Sequence, residues 1–285
     1  MLDIKTIMVV GAGQMGSGIA QVAAQAGYSC ILCDQEMAFV ERALGNIQKF
    51  LGKSVEKGKM SAEERDALLS RISITAEMDR AQEADLVIEA VTENLEVKRG
   101  VFLQLDKICA PDTILASNTS SLPLTQVASF TKRPDKVIGM HFMNPVPLMQ
   151  LVEVIRGLNT SDETFELVQG VIEKMGKTGV AVNDYPGFVV NRLLIPMINE
   201  AAYCLQEGVA GAEEIDSVMK LGASHPLGPL ALGDLIGLDV CLSIMEVLHT
   251  GLGDDKYRPS PYLRRLVQAG YLGRKSGRGF HNYTK

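Results

Sequence analysis

The stretch Ile7-Met-Val-Val-Gly-Ala-Gly-Gln-Met-Gly-Ser-Gly18 decides the fold. Its first four residues are apolar and rich in β-branched side chains, as in a strand buried on both faces. Gly11, Gly13 and Gly16 then form G-x-G-x-x-G, with Gln14 and Met15 at the variable positions, and Met15, Ile19, Val22, Ala23 and Ala26 continue at helical spacing. Strand, glycine turn and helix in that order form a dinucleotide-binding context. The first glycine permits the tight turn, the second lets the backbone approach a pyrophosphate, and the third lets helix pack closely on strand. The helix start adds free N–H groups and a positive dipole end. The next apolar run, Tyr28 to Cys33, ends at Asp34, 18 residues after Gly16. A carboxylate there accepts hydrogen bonds from ribose hydroxyls and repels a 2′-phosphate, which favours NAD over NADP.

Outward from this unit, β-rich runs alternate with helical stretches: Ile4–Val10, Tyr28–Cys33, Leu86–Ala90, Thr113–Ala116, Val137–His141, Met149–Ile155 and Gly179–Val182. Most are apolar throughout, so the expected class is α/β, a Rossmann-like doubly wound sheet with helices on both faces. After Asp184 the pattern turns helical, with segments Phe188 to Leu205, Ile215 to Leu221, Leu230 to Leu248 and Tyr262 to Ala269. Two domains are expected: 1–183, dinucleotide-binding, and 184–285, all-helical. Pro186 suits the first turn of the following helix and Asp184 its cap.

Composition narrows the function. The 285 residues carry 28 Lys plus Arg against 34 Asp plus Glu, a net charge of −6, the wrong sign for a general nucleic-acid binder or a polybasic membrane-surface protein. Apolar runs fall far short of a membrane span, so a soluble protein is expected. Five scattered cysteines argue for a reducing compartment, and with the first strand starting at Ile4 there is no room for a leader, so the expected location is the cytoplasm. Cys30 and Cys33 have C-x-x-C spacing, but on a strand residues three apart point to opposite faces, which disfavours a metal or redox site. No metal is expected.

Several residues carry chemistry in this frame. His141 ends a strand, where ligands of open α/β sheets bind, and Glu153 lies twelve residues on in the next strand, near enough to meet it across a reversal. A carboxylate-held histidine has its tautomer fixed for general acid–base work, although a structural histidine is the alternative. Ser117-Asn-Thr-Ser-Ser121 follows another strand and presents hydroxyls to the same crevice, or caps a helix. Asn191 lies on the first turns of the helical domain. Lys49, Lys53 and Lys57 recur every four residues and share one helix face; that face is either solvated or a grip for a phosphorylated substrate.

Taken together, the chain resembles the (S)-3-hydroxyacyl-CoA dehydrogenase family over nearly its whole length, and especially its short bacterial 3-hydroxybutyryl-CoA members. The matching stretches are Gly11–Gly18, Val87-Ile-Glu-Ala-Val-Thr-Glu-Asn94, Ala116–Ser121, His141-Phe-Met-Asn-Pro-Val146, Asp184-Tyr-Pro-Gly-Phe-Val-Val-Asn-Arg192 and Leu272-Gly-Arg-Lys-Ser-Gly-Arg-Gly-Phe280. The resemblance implies NAD-dependent interconversion of 3-hydroxyacyl-CoA and 3-ketoacyl-CoA. In that family the histidine matching His141 takes the proton of the 3-hydroxyl and the acid matching Glu153 orients it. Residues matching Ser120 and Asn191 hydrogen-bond the substrate oxygens, and those matching Glu93, Lys98, Asn144 and Lys275 line the nicotinamide nucleotide. Lys53 and Lys57 match the coenzyme A contact region. The family also implies a homodimer or higher homo-oligomer formed by the helical domain, with the apolar stretch Leu193–Ile198 either its interface or core. Met143 departs from the phenylalanine expected there. Alternative readings are a non-catalytic dinucleotide-binding protein of the lambda-crystallin type and a dehydrogenase of a small free hydroxy acid.

Overall fold

The computed structural model describes residues 3–284 and divides the chain into two compact units, Met1–Asp184 and Tyr185–Lys285. The first unit holds an eight-stranded sheet. Its strands are β1 (Thr6–Val10), β2 (Ser29–Cys33), β3 (Ile72–Thr75), β4 (Leu86–Glu89), β5 (Ile114–Ser117), β6 (Val137–Phe142), β7 (Leu151–Arg156) and β8 (Thr178–Asn183). They lie in the order β3-β2-β1-β4-β5-β6-β7-β8. Helices α1 (Gln14–Gln25), α2 (Met37–Glu56), α3 (Ala62–Leu69), α4 (Leu95–Ile108), α5 (Leu124–Ala128) and α6 (Asp162–Lys174) link the strands.

Apolar residues on the two faces of the sheet enter two core clusters, one with Ile7, Val9, Leu32 and Ile88, the other with Met8, Val10, Ile31 and Val87. Cys30 sits in the first and Cys33 in the second, so their side chains diverge as alternation on a strand demands. Burial pushes the Cys30 thiol up to about 12 and the Cys33 thiol to about 11, which keeps both protonated and unreactive at neutral pH.

Three features depart from the sequence expectation. The sheet gains β3, a four-residue, half-buried edge strand whose Ile-Ser-Ile-Thr is too short to stand out by pattern. The pairing is not parallel throughout, because β7 runs antiparallel to β6 and carries parallel β8 with it. And the run from Leu230 to Leu248 is two helices, because the chain breaks at Gly237, whose φ of 110° no helix accommodates.

The second unit comprises α7 (Val190–Gln206), α8 (Ala212–Gly222), α9 (Pro229–Ile236), α10 (Leu238–Leu252) and α11 (Pro261–Gln268) around a core of Ile195, Ile198, Leu238, Met245 and Leu248. No helix among the described residues is long and apolar enough to cross a membrane.

A further departure lies at the boundary: Asp184 does not cap α7, which begins six residues later, and Pro186 precedes that helix rather than sitting in its first turn. Its two carboxylate oxygens accept the N–H groups of Leu124 and Thr125 at 2.9 and 2.7 Å, so it caps α5, whose own N-cap is a proline with no side-chain acceptor. Asp184→Ala should therefore cost about 1–2 kcal/mol through two orphaned donors, measured as a lower midpoint in urea denaturation. An unchanged midpoint would remove the capping role.

Candidate active site

β1 has parallel neighbours on both sides, β2 and β4, and the connections leave in opposite directions, so its C-terminal end opens a crevice at the point where strand order reverses. The glycine turn sits there. Gly11 has φ 106° and its Cα approaches β4's end so closely that a Cβ would lie 2.5 Å from the Ala90 carbonyl oxygen, while a Cβ at Gly16 would collide with the Gly11 carbonyl. Around Gly13 a Cβ would meet nothing within 4 Å, which leaves the loop backbone approachable. Neither a side-chain cap nor an acidic residue occupies the first turn of α1, so its leading amides suit an anion. Gln14 reaches the Asn144 side chain, donating from Nε2 to Oδ1 at 3.0 Å, and Met15 packs against the core below.

A cavity of about 660 Å³ extends from this turn, bounded by Gly11–Gly13, Asp34, Arg42, Met78, Ala90–Thr92 and Val101. Asp34 is pinned at its rim. One oxygen accepts the Ala12 N–H at 2.7 Å and the other the Gln35 N–H at 2.7 Å, so the carboxylate that would meet a ribose also holds the glycine loop. Each oxygen keeps a further lone pair for a hydroxyl. The open turn, the uncapped helix start and this fixed acid fit a dinucleotide.

Next to it, at the ends of β4 and β5, is a charged cluster. Lys98 on α4 is 1% exposed and its ammonium lies 2.7 Å from Glu89 and 3.3 Å from Glu93. One oxygen of Glu93 gathers the loop after β5: the Thr119 hydroxyl at 2.6 Å, the Ser120 N–H at 2.7 Å and hydroxyl at 3.2 Å, and both Ser121 donors at 3.0 Å. Burial alone would raise the Glu93 pKa, but the charge of Lys98 and the donors from residues 119–121 outweigh it and hold the carboxyl below the usual range. The serines expected to face the crevice thus also spend donors on two carboxylates, and the Asn118 side chain accepts the Phe142 N–H at 2.9 Å. Glu89, within the quoted Val87–Asn94 stretch, had no role in the sequence reading. A lone acid after Leu-Val-Ile in a strand that is otherwise apolar was the signal.

His141 and Glu153 are directly opposed in the antiparallel register of β6 and β7, which puts both side chains on one face. Nδ1 lies 2.7 Å from the Glu153 carboxylate, and both residues are buried. With a carboxylate as its partner Nδ1 is the donor nitrogen, which makes Nε2 the ring nitrogen able to exchange a proton.

The remaining candidates are described within their own units. Lys49 and Lys53 are exposed on α2, and Lys57 follows its last residue. In the second unit, Asn191 is buried on the first turn of α7, and Lys275 pairs with Asp239 at 2.6 Å.

Comparison with known proteins follows the same division. The family model "3-hydroxyacyl-CoA dehydrogenase, NAD binding domain" matches residues 6–185, and "3-hydroxyacyl-CoA dehydrogenase, C-terminal domain" matches 187–283. The chain belongs to the 3-hydroxyacyl-CoA dehydrogenase family. Among relatives, a probable 3-hydroxybutyryl-CoA dehydrogenase of Bacillus subtilis is 61% identical, covering 100% of this chain and 99% of its own. The 3-hydroxybutyryl-CoA dehydrogenase of Bradyrhizobium diazoefficiens is 51% identical, covering 98% and 96%. The crystal structure of (S)-3-hydroxybutyryl-CoA dehydrogenase PaaH1 from Ralstonia eutropha superposes with a TM-score of 0.97 at 48% identity, over 99% and 100% of the two chains. The glycine turn and Asp34 accordingly belong to the NAD-binding domain of a 3-hydroxyacyl-CoA dehydrogenase.

Asp34 holds the loop and is the residue expected to meet a ribose, so Asp34→Ala should weaken NADH binding about tenfold or more, as loss of hydrogen bonds to a charged group implies, and should narrow the preference for NADH over NADPH. Fluorescence titration with the two cofactors checks both effects. Unchanged NADH affinity would overturn the assignment.

Proposed function

We propose that the protein is an NAD-dependent oxidoreductase interconverting (S)-3-hydroxyacyl-CoA and 3-ketoacyl-CoA thioesters of short chain, with 3-hydroxybutyryl-CoA and acetoacetyl-CoA as the natural pair. The observation that carries this reading is the His141–Glu153 pair, a buried acid–base unit with one defined tautomer at a sheet end that also bears the dinucleotide turn. The names of the relatives support the substrate class.

Bound NAD supplies the acceptor for the hydride lost from C3 of the substrate. The chain's own task is to hold that carbon in place and to move one proton. In the oxidative direction the Nε2 lone pair of His141 takes the hydroxyl proton, and Glu153 stabilises the imidazolium that forms by holding Nδ1–H. In the reductive direction the same Nε2 returns the proton to the developing alkoxide. Ser120 and Asn191 are assigned to the substrate oxygens as further donors, and Glu93, Lys98, Asn144 and Lys275 to the nicotinamide side. Lys53 and Lys57 provide the cationic contact for coenzyme A phosphates, which an acidic protein must supply locally.

The helical unit is assigned to substrate binding and to a homodimer. Leu193, Val218 and Leu221 there are 70%, 66% and 87% exposed and supply apolar side chains for such an interface. Free cysteines throughout the described residues fit a reducing compartment, and the cytoplasm is the proposed location.

His141→Ala should lower kcat with acetoacetyl-CoA by about 10²–10⁴ while NADH still binds. Loss of NADH binding or of folding in parallel would instead assign the histidine a structural role. Replacing the thioester with free acetoacetate should abolish most turnover in the wild-type protein, and equal rates on the two substrates would refute the coenzyme A assignment.

A further inference from the structure

We propose that Glu89 is a positioning residue for this reaction, tying the loop that flanks the dinucleotide cavity to the loop that carries Ser120. The inference rests on the activity proposed above but on contacts that none of the assigned site residues explains. Glu89 is the last residue of β4 and is 0% exposed. Its side chain serves three elements at once. One oxygen accepts the Val91 N–H and the Lys98 ammonium, each at 2.7 Å; the other accepts the Ser117 hydroxyl at 2.6 Å. Val91 lines the cavity beside Gly11. Ser117 in turn accepts the Thr119 N–H at 3.1 Å, which sets the start of the 119–121 turn. The Glu89 carbonyl continues the linkage by accepting the Asn118 N–H at 2.8 Å, and Asn118 holds the Phe142 N–H beside His141.

The chemistry requires a carboxylate. The Val91 N–H, the Lys98 ammonium and the Ser117 hydroxyl converge on its two oxygens, and a carboxylate meets all three by accepting on both. A glutamine has one donor end. Turned toward Ser117, that end displaces the hydroxyl hydrogen from its acceptor; turned the other way, it faces an N–H and an ammonium. The buried Lys98 charge would then rest on Glu93 alone, pulling on the very carboxylate that gathers Ser120. A misplacement of about 1 Å in the reacting geometry can cost on the order of 10²-fold in rate.

The test compares wild type, Glu89→Gln, Ser117→Ala and the double variant, using circular dichroism for folding, NADH fluorescence titration for Kd, and acetoacetyl-CoA reduction for kcat. Glu89→Gln should remain folded, bind NADH on the order of tenfold more weakly and lose on the order of tenfold or more in kcat. Ser117→Ala, which cuts only the second arm, should lower kcat and leave the NADH Kd unchanged, and the double variant should lose no more kcat than Glu89→Gln alone because both act through one linkage. A folded Glu89→Gln with wild-type kcat and Kd overturns the proposal, as does a variant whose activity falls only with its folded fraction. If Glu89→Gln fails to fold, Ser117→Ala decides: wild-type kcat overturns the linkage. A wild-type protein that binds NADH but does not reduce the thioester would refute the activity reading instead, and the NADH arm of the Glu89 measurement would still judge the positioning role.

Discussion

Parallel pairing of β1 with both β2 and β4 is the constraint on which the first unit depends. It aligns the C-terminal ends of three strands and leaves Gly11, Asp34 and Glu89 at one edge of the sheet. The closeness is extreme at Gly11, where the carbonyl of Ala90, just past β4, leaves no space for a side chain. The same alignment places Glu89 level with Ser117 across the next pair, so the charged cluster is a product of register before it is a product of side-chain chemistry. Shifting any of these strands by one residue would invert the faces and dissolve the cavity and the cluster together.

The charge distribution resolves an apparent conflict. A protein of net charge −6 is assigned two polyanionic ligands. In the proposed function attraction falls to the uncapped start of α1 and the exposed lysines of α2, while acidic groups near the crevice are used internally: Asp34 on backbone amides, Glu89 and Glu93 on Lys98 and the serine turn. Carboxylates engaged by N–H and hydroxyl donors present less unbalanced negative charge than their number suggests.

How much of this was legible in the sequence depended on range. The glycine turn, Asp34 and the two-part organisation announce themselves through short spacings and periodicity, and His141 with Glu153 follows from two strands joined by a reversal. Less visible was whatever depends on partners distant along the chain. Asp184 looked like the cap of the next helix because caps are read locally, yet its acceptors serve residues 60 positions earlier. Glu89 stands out as a lone acid in an apolar strand, but its role was hidden for the same reason, since its partner Ser117 lies 28 residues on. β3 escaped because an edge strand of four residues has neither length nor full burial to mark it, and the Gly237 break was hidden inside a continuous apolar run.

The antiparallel turn of β6 into β7 has a consequence for how the site comes into being. His141 and Glu153 are separated by 12 residues and can meet within a single hairpin, whose closure is fast and entropically cheap. The dinucleotide crevice instead needs β1 to find β4 about 80 residues away, with the intervening β2 and β3 layered on the far side. The proton-handling pair is therefore encoded in local chain, and the cofactor pocket in long-range topology.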